Sequence, residues 1–264
     1  MMPISFYIDL LKDRIIRRRY ACHSSTSGQG SAILMFHHVA ETPPEGVSVS
    51  CYSSISDFRS LLTKLGDLKQ FISLSDLCKE LQKNVVPKDK IVITFDDVPS
   101  NVYYNAVPIL REFGIPYVLY ISTKLMEMDG FLSKKQLFEL SKDPLCTIGS
   151  HTVSHCMLKR RGVNVLQELS DSQKVLEEII NKPVEHFAYP YGTPFAISER
   201  IVHLVERSGI YRSAVCTIPA YINEYSKGHI FSLPRIHSQL FTNEYLNKPV
   251  SYTHLRAHET GAYL

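Results

Sequence analysis

Two apolar runs in this sequence end in residues that can bind a metal. Ile91-Val92-Ile93-Thr94-Phe95 runs into two adjacent carboxylates, Asp96 and Asp97. Cys146-Thr147-Ile148-Gly149-Ser150 runs into His151, with His155 four residues further on. Either pair alone says little. Strands often end in Asp-containing turns, and 11 histidines in 264 residues give about half of one H-x-x-x-H pair by chance. Together they are more specific. One carboxylate and two imidazoles make a facial set that holds zinc or iron and leaves positions open for water or substrate. The remaining carboxylate could then serve as a base. Neighbouring residues of a regular strand face opposite sides, so both aspartates reach one site only if the strand end turns.

Positioning these groups takes a scaffold of strands. Apolar runs rich in β-branched and aromatic residues recur at Ala32–Phe36, Ile91–Phe95, Tyr117–Ile121, Cys146–Ile148, His186–Tyr189, Ala214–Ile218 and Phe231–Ile236. Helical spacing separates them. Val165, Leu166, Leu169, Leu176, Ile179 and Ile180 keep to one face, and Phe195 to Ser208 reads as a helix stopped by Gly209. Asn101 to Phe113, followed by Gly114, reads as a helix that Pro108 must kink or restart. Ile55–Leu65 and Ser75–Gln82 supply two more. Strand–helix alternation of this length predicts a parallel sheet, barrel or doubly wound. In both, functional residues gather at the C-terminal ends of strands, where both candidate pairs lie. No internal repeat, Gly/Ser linker or composition shift divides the chain, so a single domain is expected.

Composition narrows the class. Hydrophobic residues make up 44% and charged residues 21%, with a mean hydropathy of −0.07, which excludes a disordered or low-complexity chain. A net charge of +3 gives no basic field for nucleic acid. No apolar run approaches the ~20 residues of a membrane span. The six cysteines show no C-x-x-C spacing, so they suggest neither a structural zinc site nor a redox motif, and Cys146 and Cys216 read as buried hydrophobes. A reduced, cytoplasmic protein is expected. Residues 1–30 are expected to be a basic amphipathic extension: Arg14, Arg17, Arg18 and Arg19 follow a mixed apolar stretch, the wrong order for a signal peptide. A helix there would pack on the domain, or give weak peripheral contact with the inner membrane face. Ser251 to Thr260 resembles translated read-through of a sequencing adapter, so native sequence is expected to stop near Pro249 or Val250, leaving residues 250–264 as a non-native tail. His254 and His258 are therefore set aside.

Three segments carry a family resemblance. Thr94-Phe95-Asp96-Asp97, His151-Thr152-Val153-Ser154-His155 and Phe187-Ala188-Tyr189-Pro190-Tyr191-Gly192 resemble, in order and spacing, the first three motifs of the polysaccharide deacetylases, the NodB-homology domains of carbohydrate esterase family four. Ile33-Leu34-Met35-Phe36-His37-His38-Val39 resembles the opening strand of one branch, and Leu233-Pro234-Arg235-Ile236 the last motif. The resemblance implies an α/β fold, a single irregular (β/α) barrel of about seven parallel strands, over residues 31–249. It implies removal of acetyl groups, N-acetyl favoured over O-acetyl, from an aminosugar polymer or oligomer. Asp97, His151 and His155 would hold one divalent metal, zinc first among candidates. Asp96 would be the general base, and the backbone N–H of Tyr191 would stabilise the oxyanion. Tyr189, Pro190, Tyr191, His37 and His38 would line the substrate pocket.

Departures from the pattern matter as much. The usual Gly after the paired carboxylates is Val98 here. Many members carry at the position of Ala188 an Arg that orients the base, and Arg235 is the candidate replacement, entering from the last strand with Asp96 as its partner. The final Leu-x-His motif, source of a general acid, is missing, and His237 stands nearest its place. These gaps motivate an alternative, a catalytically impaired carbohydrate-binding relative. A second alternative is an unrelated metal-dependent hydrolase on the same kind of scaffold. His186, His203 and His229 read as structural or exposed, and Tyr103 and Tyr104 as further stacking surfaces.

Overall fold

The computed structural model describes residues 30–240, so the expectations placed on residues 1–29 and 241–264, including the membrane-contacting extension and the non-native tail, lie outside the described residues. The chain opens with β1 (Ala32–Phe36), then a small parallel pair, β2 (His38–Ala40) and β3 (Tyr52–Ser54). Next come α1 (Ile55–Leu68), β4 (Gln70–Phe71), α2 (Leu74–Gln82) and β5 (Lys90–Asp96). Then follow α3 (Val107–Glu112), β6 (Tyr117–Ile121), α4 (Lys134–Leu140), β7 (Cys146–Ser150) and α5 (Val165–Ile180). The described part ends with β8 (His186–Ala188), α6 (Glu199–Ser208), β9 (Ser213–Val215), α7 (Glu224–Lys227) and β10 (Ile236–His237).

Seven strands lie side by side in the order β10-β1-β5-β6-β7-β8-β9, all parallel, with β4 pairing β5 off this path. The two ends of the path are joined through Leu233. Its N–H donates to Ala214 O at 3.0 Å and its carbonyl accepts from Cys216 N at 2.9 Å, while Ile236, three residues on, pairs with Leu34. One short stretch therefore bonds β9 at one end and β1 at the other, closing an irregular barrel. The strand expected over Phe231–Ile236 is broken here: Ile230–Ser232 forms a 3-10 turn, and Pro234 has no N–H to give a ladder.

Alternation along the strands makes two cores. Ile33, Val92, Val118, Tyr120, Ala188, Val215 and Leu233 face inward and meet Leu74, Leu77 and Leu81 of α2. Leu34, Phe36, Ile91, Ile93, Phe95, Leu119, Phe187, Ala214 and Ile236 belong to the larger outer cluster with α1, α3, α5 and α6. On β5 this period of two puts Thr94 and Asp96 on the same inward side as Val92. Gly149 is required on β7, since a Cβ there would stand 2.5 Å from the ring of Tyr120.

Helix ends follow local rules. Ser54, Ser73 and Ser198 cap α1, α2 and α6, and Gly209 stops α6 with φ 66°. The helix expected over Asn101–Phe113 starts as a π-type turn, Val102–Ala106, and becomes α-helical at Val107, with Pro108 in its first turn. Residues 195–198 precede α6 rather than forming its first turn. Among the described residues, no helix is long and apolar enough to cross a membrane.

Candidate active site

The two carboxylates share one cleft because the chain turns sharply after β5. Asp97 and Val98 take φ of 58° and 50°, and Val98 N donates back to Asp96 O at 2.6 Å. Left-handed backbone is uncommon for an aspartate and a strained exception for a β-branched valine. This chain holds the turn with a valine whose side chain is buried in the outer core.

The histidine loop is held open in a similar way. Thr152 and His155 have φ of 69° and 53°. Glu168, in the first turn of α5, fixes this loop: its Oε2 accepts from Val153 N and Ser154 N, both at 3.0 Å, and its Oε1 accepts from Ser154 Oγ at 2.8 Å. His151 is buried, 1% exposed, and its Nδ1 lies 2.7 Å from Ala188 O. A carbonyl can only accept, so Nδ1 carries the proton and Nε2 presents a lone pair. That Nε2 stands 3.9 Å from Asp97 Oδ1, and His155 Nε2 stands 3.3 Å from the same oxygen.

One ligand atom from each of Asp97, His151 and His155 lies within 4.8 Å of the other two. Asp97 Oδ1 is buried with no hydrogen-bond partner. An orphaned carboxylate oxygen facing two imidazole nitrogens fits a divalent cation, and the Ala188 carbonyl behind His151 is the kind of outer partner that fixes a metal-binding tautomer.

Asp96 stays out of that set. Arg235 Nη1 and Nη2 donate to its two oxygens, each at 2.6 Å, with Asp96 3% and Arg235 1% exposed. Arg235 Nε donates to Cys216 O at 3.1 Å, Nη1 also reaches Thr94 Oγ1 at 3.2 Å, and the guanidinium lies 5.5 Å over the ring of Tyr120. Burial by itself would raise the Asp96 carboxyl, but Arg235, with His151 and His37 behind it, holds it well below the usual range. The base candidate is therefore an anion fixed in orientation. Ala188, 0% exposed on the inner face of β8, leaves room for a guanidinium arriving from the last strand.

The remaining expected pocket residues divide. Tyr191 has φ 61°, is 36% exposed, and its ring lies 4.9 Å from that of His155. Its carbonyl accepts from Thr217 Oγ1 at 2.8 Å, and the next residue must be glycine, because a Cβ on Gly192 (φ 49°) would meet Thr217 N at 2.7 Å. Tyr189 is a correction. It is fully buried on the outward face with Phe187, and its hydroxyl donates to Phe231 O at 2.9 Å, so it has no surface for a sugar. Pro190 is buried as well. His37 is half-buried in electrostatic reach of Asp96, Asp97 and His151, and burial lowers its pKa. His38 is bonded to Asn101 Nδ2 through Nδ1 at 3.0 Å. Burial, with His37 beside it, pushes the His237 imidazole down to about 3, which favours its neutral form near neutrality. Tyr103 and Tyr104 bond Glu139 and Gln136 of α4. His186 is buried between Ser75 and Ser213, while His203 and His229 are exposed. Sequence reasoning missed Thr94, Tyr120 and Glu168. Thr94 was legible by its alternation with Asp96, whereas nothing in the spacing marks Glu168.

An α/β barrel with an Asp-His-His cluster at its strand ends defines a class, and comparison with known proteins narrows it. Residues 83–212 match the family described as polysaccharide deacetylase. The chain is 30% identical over 206 residues to the poly-beta-1,6-N-acetyl-D-glucosamine N-deacetylase of Staphylococcus epidermidis, an alignment covering 67% of this chain and 69% of that protein. The enzyme of the same name from Staphylococcus aureus strain MRSA252 is 30% identical over 139 residues, so the chain spans about half the length of that relative, 47%. Among solved structures, IcaB from Ammonifex degensii superposes with a TM-score of 0.70 at 20% identity, covering 83% of this chain and 94% of that one. The putative polysaccharide deacetylase BA0330 from Bacillus anthracis gives 0.67 at 22% identity, covering 79% and 65%. This chain belongs to the polysaccharide deacetylase family.

Proposed function

We propose that this chain is a metal-dependent hydrolase removing acetyl groups, N-acetyl in preference to O-acetyl, from an aminosugar polymer or oligomer. The name of the S. epidermidis relative makes β-1,6-linked N-acetylglucosamine the first substrate to test. One observation carries the reading: Asp97, His151 and His155 converge beside Asp96, and Arg235 locks the carboxylate that this set leaves over.

Asp97, His151 and His155 would hold one divalent cation, zinc first among candidates, which when bound supplies Lewis-acid polarisation and makes water more acidic. Asp96, kept ionised and aimed by Arg235, takes the proton of the attacking water and can return it to the leaving amine. The Tyr191 backbone N–H is assigned to the carbonyl oxygen as charge builds there, and the Tyr191 ring offers a face for a sugar. The impaired-enzyme reading drew on Ala188 and on the missing Leu-x-His motif; Arg235 supplies a cation where Ala188 cannot, and the second ground is what an assay of acetate release tests.

The test is acetate release by zinc-loaded protein from β-1,6-linked N-acetylglucosamine oligomers, chitooligosaccharides, peptidoglycan fragments and acetylated xylan. Release from the aminosugar substrates, abolished by chelation, is expected. Folded, metal-loaded protein inert on all four would overturn the reading.

A further inference from the structure

A second group of metal-ligating side chains stands outside the Asp97, His151 and His155 set. His37 follows β1, His237 ends β10, and Cys51 ends the 3-10 turn Val49–Cys51 that leads into β3. One ligand atom from each, two imidazole nitrogens and a sulfur, lies within 4.8 Å of the other two. The two rings are stacked, with centroids 5.7 Å apart and planes inclined by 16°. Nδ1 of His37 and both ring nitrogens of His237 are buried without a hydrogen-bond partner. Buried polar atoms are almost always satisfied. A neutral imidazole carries one N–H and one lone pair, so each ring has one nitrogen that can bind a cation, while the second nitrogen of His237 carries the proton.

The backbone holds the three residues together. Met35 pairs with His237 across β1 and β10, which brings His237 beside the end of the strand that His37 follows. The Gln239 side chain donates to the carbonyls of Val49 and Tyr52, on either side of Cys51, and Ser238 Oγ lies 3.5 Å from Ser53 Oγ. The turn bearing Cys51 is thus tied to the segment bearing His237. Zinc bonds of about 2.0–2.3 Å put tetrahedral ligand atoms roughly 3.3–3.8 Å apart. Ligand atoms within 4.8 Å of one another would have to approach by about 1 Å to reach that range.

We infer that His37, Cys51 and His237 form a second cation site, separate from the Asp97 centre, that takes a borderline-soft divalent ion of the zinc class. Two imidazoles and a thiolate select such an ion over magnesium or calcium, which prefer oxygen ligands. Three protein ligands leave a fourth position for water. Binding converts the Cys51 thiol to thiolate and releases that one proton to solvent, while both imidazoles bind neutral.

Cobalt separates the two sites, because the Asp97 set contains no sulfur. Metal-free full-length protein would be titrated with Co2+ and followed for thiolate-to-cobalt charge-transfer absorption in the near ultraviolet, with bound metal counted by elemental analysis. Two equivalents are expected, one accompanied by the charge-transfer band, and the band should be displaced by Zn2+. Cys51→Ser should lose the band and one equivalent. Asp97→Asn should lose the other equivalent and keep the band, so failure of the first site and failure of the second read differently. Cys156→Ser, beside His155, should keep it. In the wild-type protein Zn2+ should also slow alkylation of Cys51 at least tenfold, a readout that needs no variant to fold. Saturation at one equivalent without the band, a band that survives Cys51→Ser, or Cys51 alkylation indifferent to Zn2+ would each overturn the inference.

Discussion

Arg235 and Asp96, 139 residues apart in sequence, share two parallel 2.6 Å hydrogen bonds inside the barrel. A planar guanidinium matches both carboxylate oxygens, which a lysine ammonium cannot do. Both groups are removed from water, so each depends on the other to offset its desolvation. Thr94 and the Cys216 carbonyl take further Arg235 donors, so the cation itself is held and the carboxylate inherits its orientation.

Removing either partner should therefore cost both rate and stability. Arg235→Ala leaves a buried, uncompensated carboxylate, and a loss of about 3–5 kcal/mol in unfolding free energy is expected by urea denaturation. Arg235→Lys keeps the charge and loses the fork. It should stay folded and keep its metal, while turnover falls roughly 10²-fold from misplacement of Asp96. Full activity in Arg235→Ala would defeat the pairing as a functional device.

Separate roles for the adjacent aspartates predict separable losses. Asp96→Asn should retain the first metal and lose ~10²–10⁴-fold in turnover. Asp97→Asn should lose that metal and activity together. Elemental analysis beside an acetate assay decides it, and the reverse pattern would exchange the two roles.

Glu168 holds the loop between the two histidines without reaching the site atoms. Glu168→Gln keeps the shape but weakens a charge-assisted carboxylate that accepts three bonds. Outer partners of this kind are worth about 10–100-fold in metal affinity. A loss of that size at the Asp97 centre is expected in competition against a chelator, with far-ultraviolet circular dichroism unchanged. Unaltered affinity would reduce Glu168 to an ordinary helix-end residue.

Acid should weaken the fold through His186. Burial, with Arg212 adding to it, lowers this imidazole from 6.5 to about 4. Below pH 6.5 the unfolded chain binds a proton that the folded chain refuses, so stability falls as pH drops from 6.5 toward 4 and levels off beneath that. The interval corresponds to at most about 3 kcal/mol. His186→Gln should flatten the slope of unfolding free energy across this window, although His38 and His237, lowered to about 4 and about 3, act in the same direction. Identical slopes for the two proteins would exclude His186 as a source.

Much of this arrangement was written in local pattern. Apolar alternation located the strands, Gly209 marked a helix end, and the strand-end rule put Asp96, Asp97, His151 and His155 where the structure places them. Arg235 followed from the gap at Ala188 together with the period of two. The same period, applied to Phe187 and Ala188, assigns Tyr189 to the outer core, so its placement in the pocket ignored an available signal. Helix α4 is absent from the expected elements, although Ser133 and Gln136 form a capping box at its start. What local pattern could not carry depends on tertiary placement: the broken last strand, the Glu168 clamp, and the meeting of Cys51 with His37 and His237 join residues whose own neighbourhoods say nothing of one another.

The stretch that closes the barrel has a consequence for the order of synthesis. Asp96 leaves the ribosome well ahead of Leu233 and Arg235, so a nascent chain can lay β1 against β5, β6 and β7 while its seam is still untranslated. Through that interval the carboxylate has no guanidinium, and β1 and β9 each present an unpaired edge. Such edges invite pairing with other chains. Arrival of a few residues then removes both edges and neutralises the buried charge in one step. The seam is thus the last part of this barrel to be made, and the chain that still lacks it is the form most open to pairing with other chains.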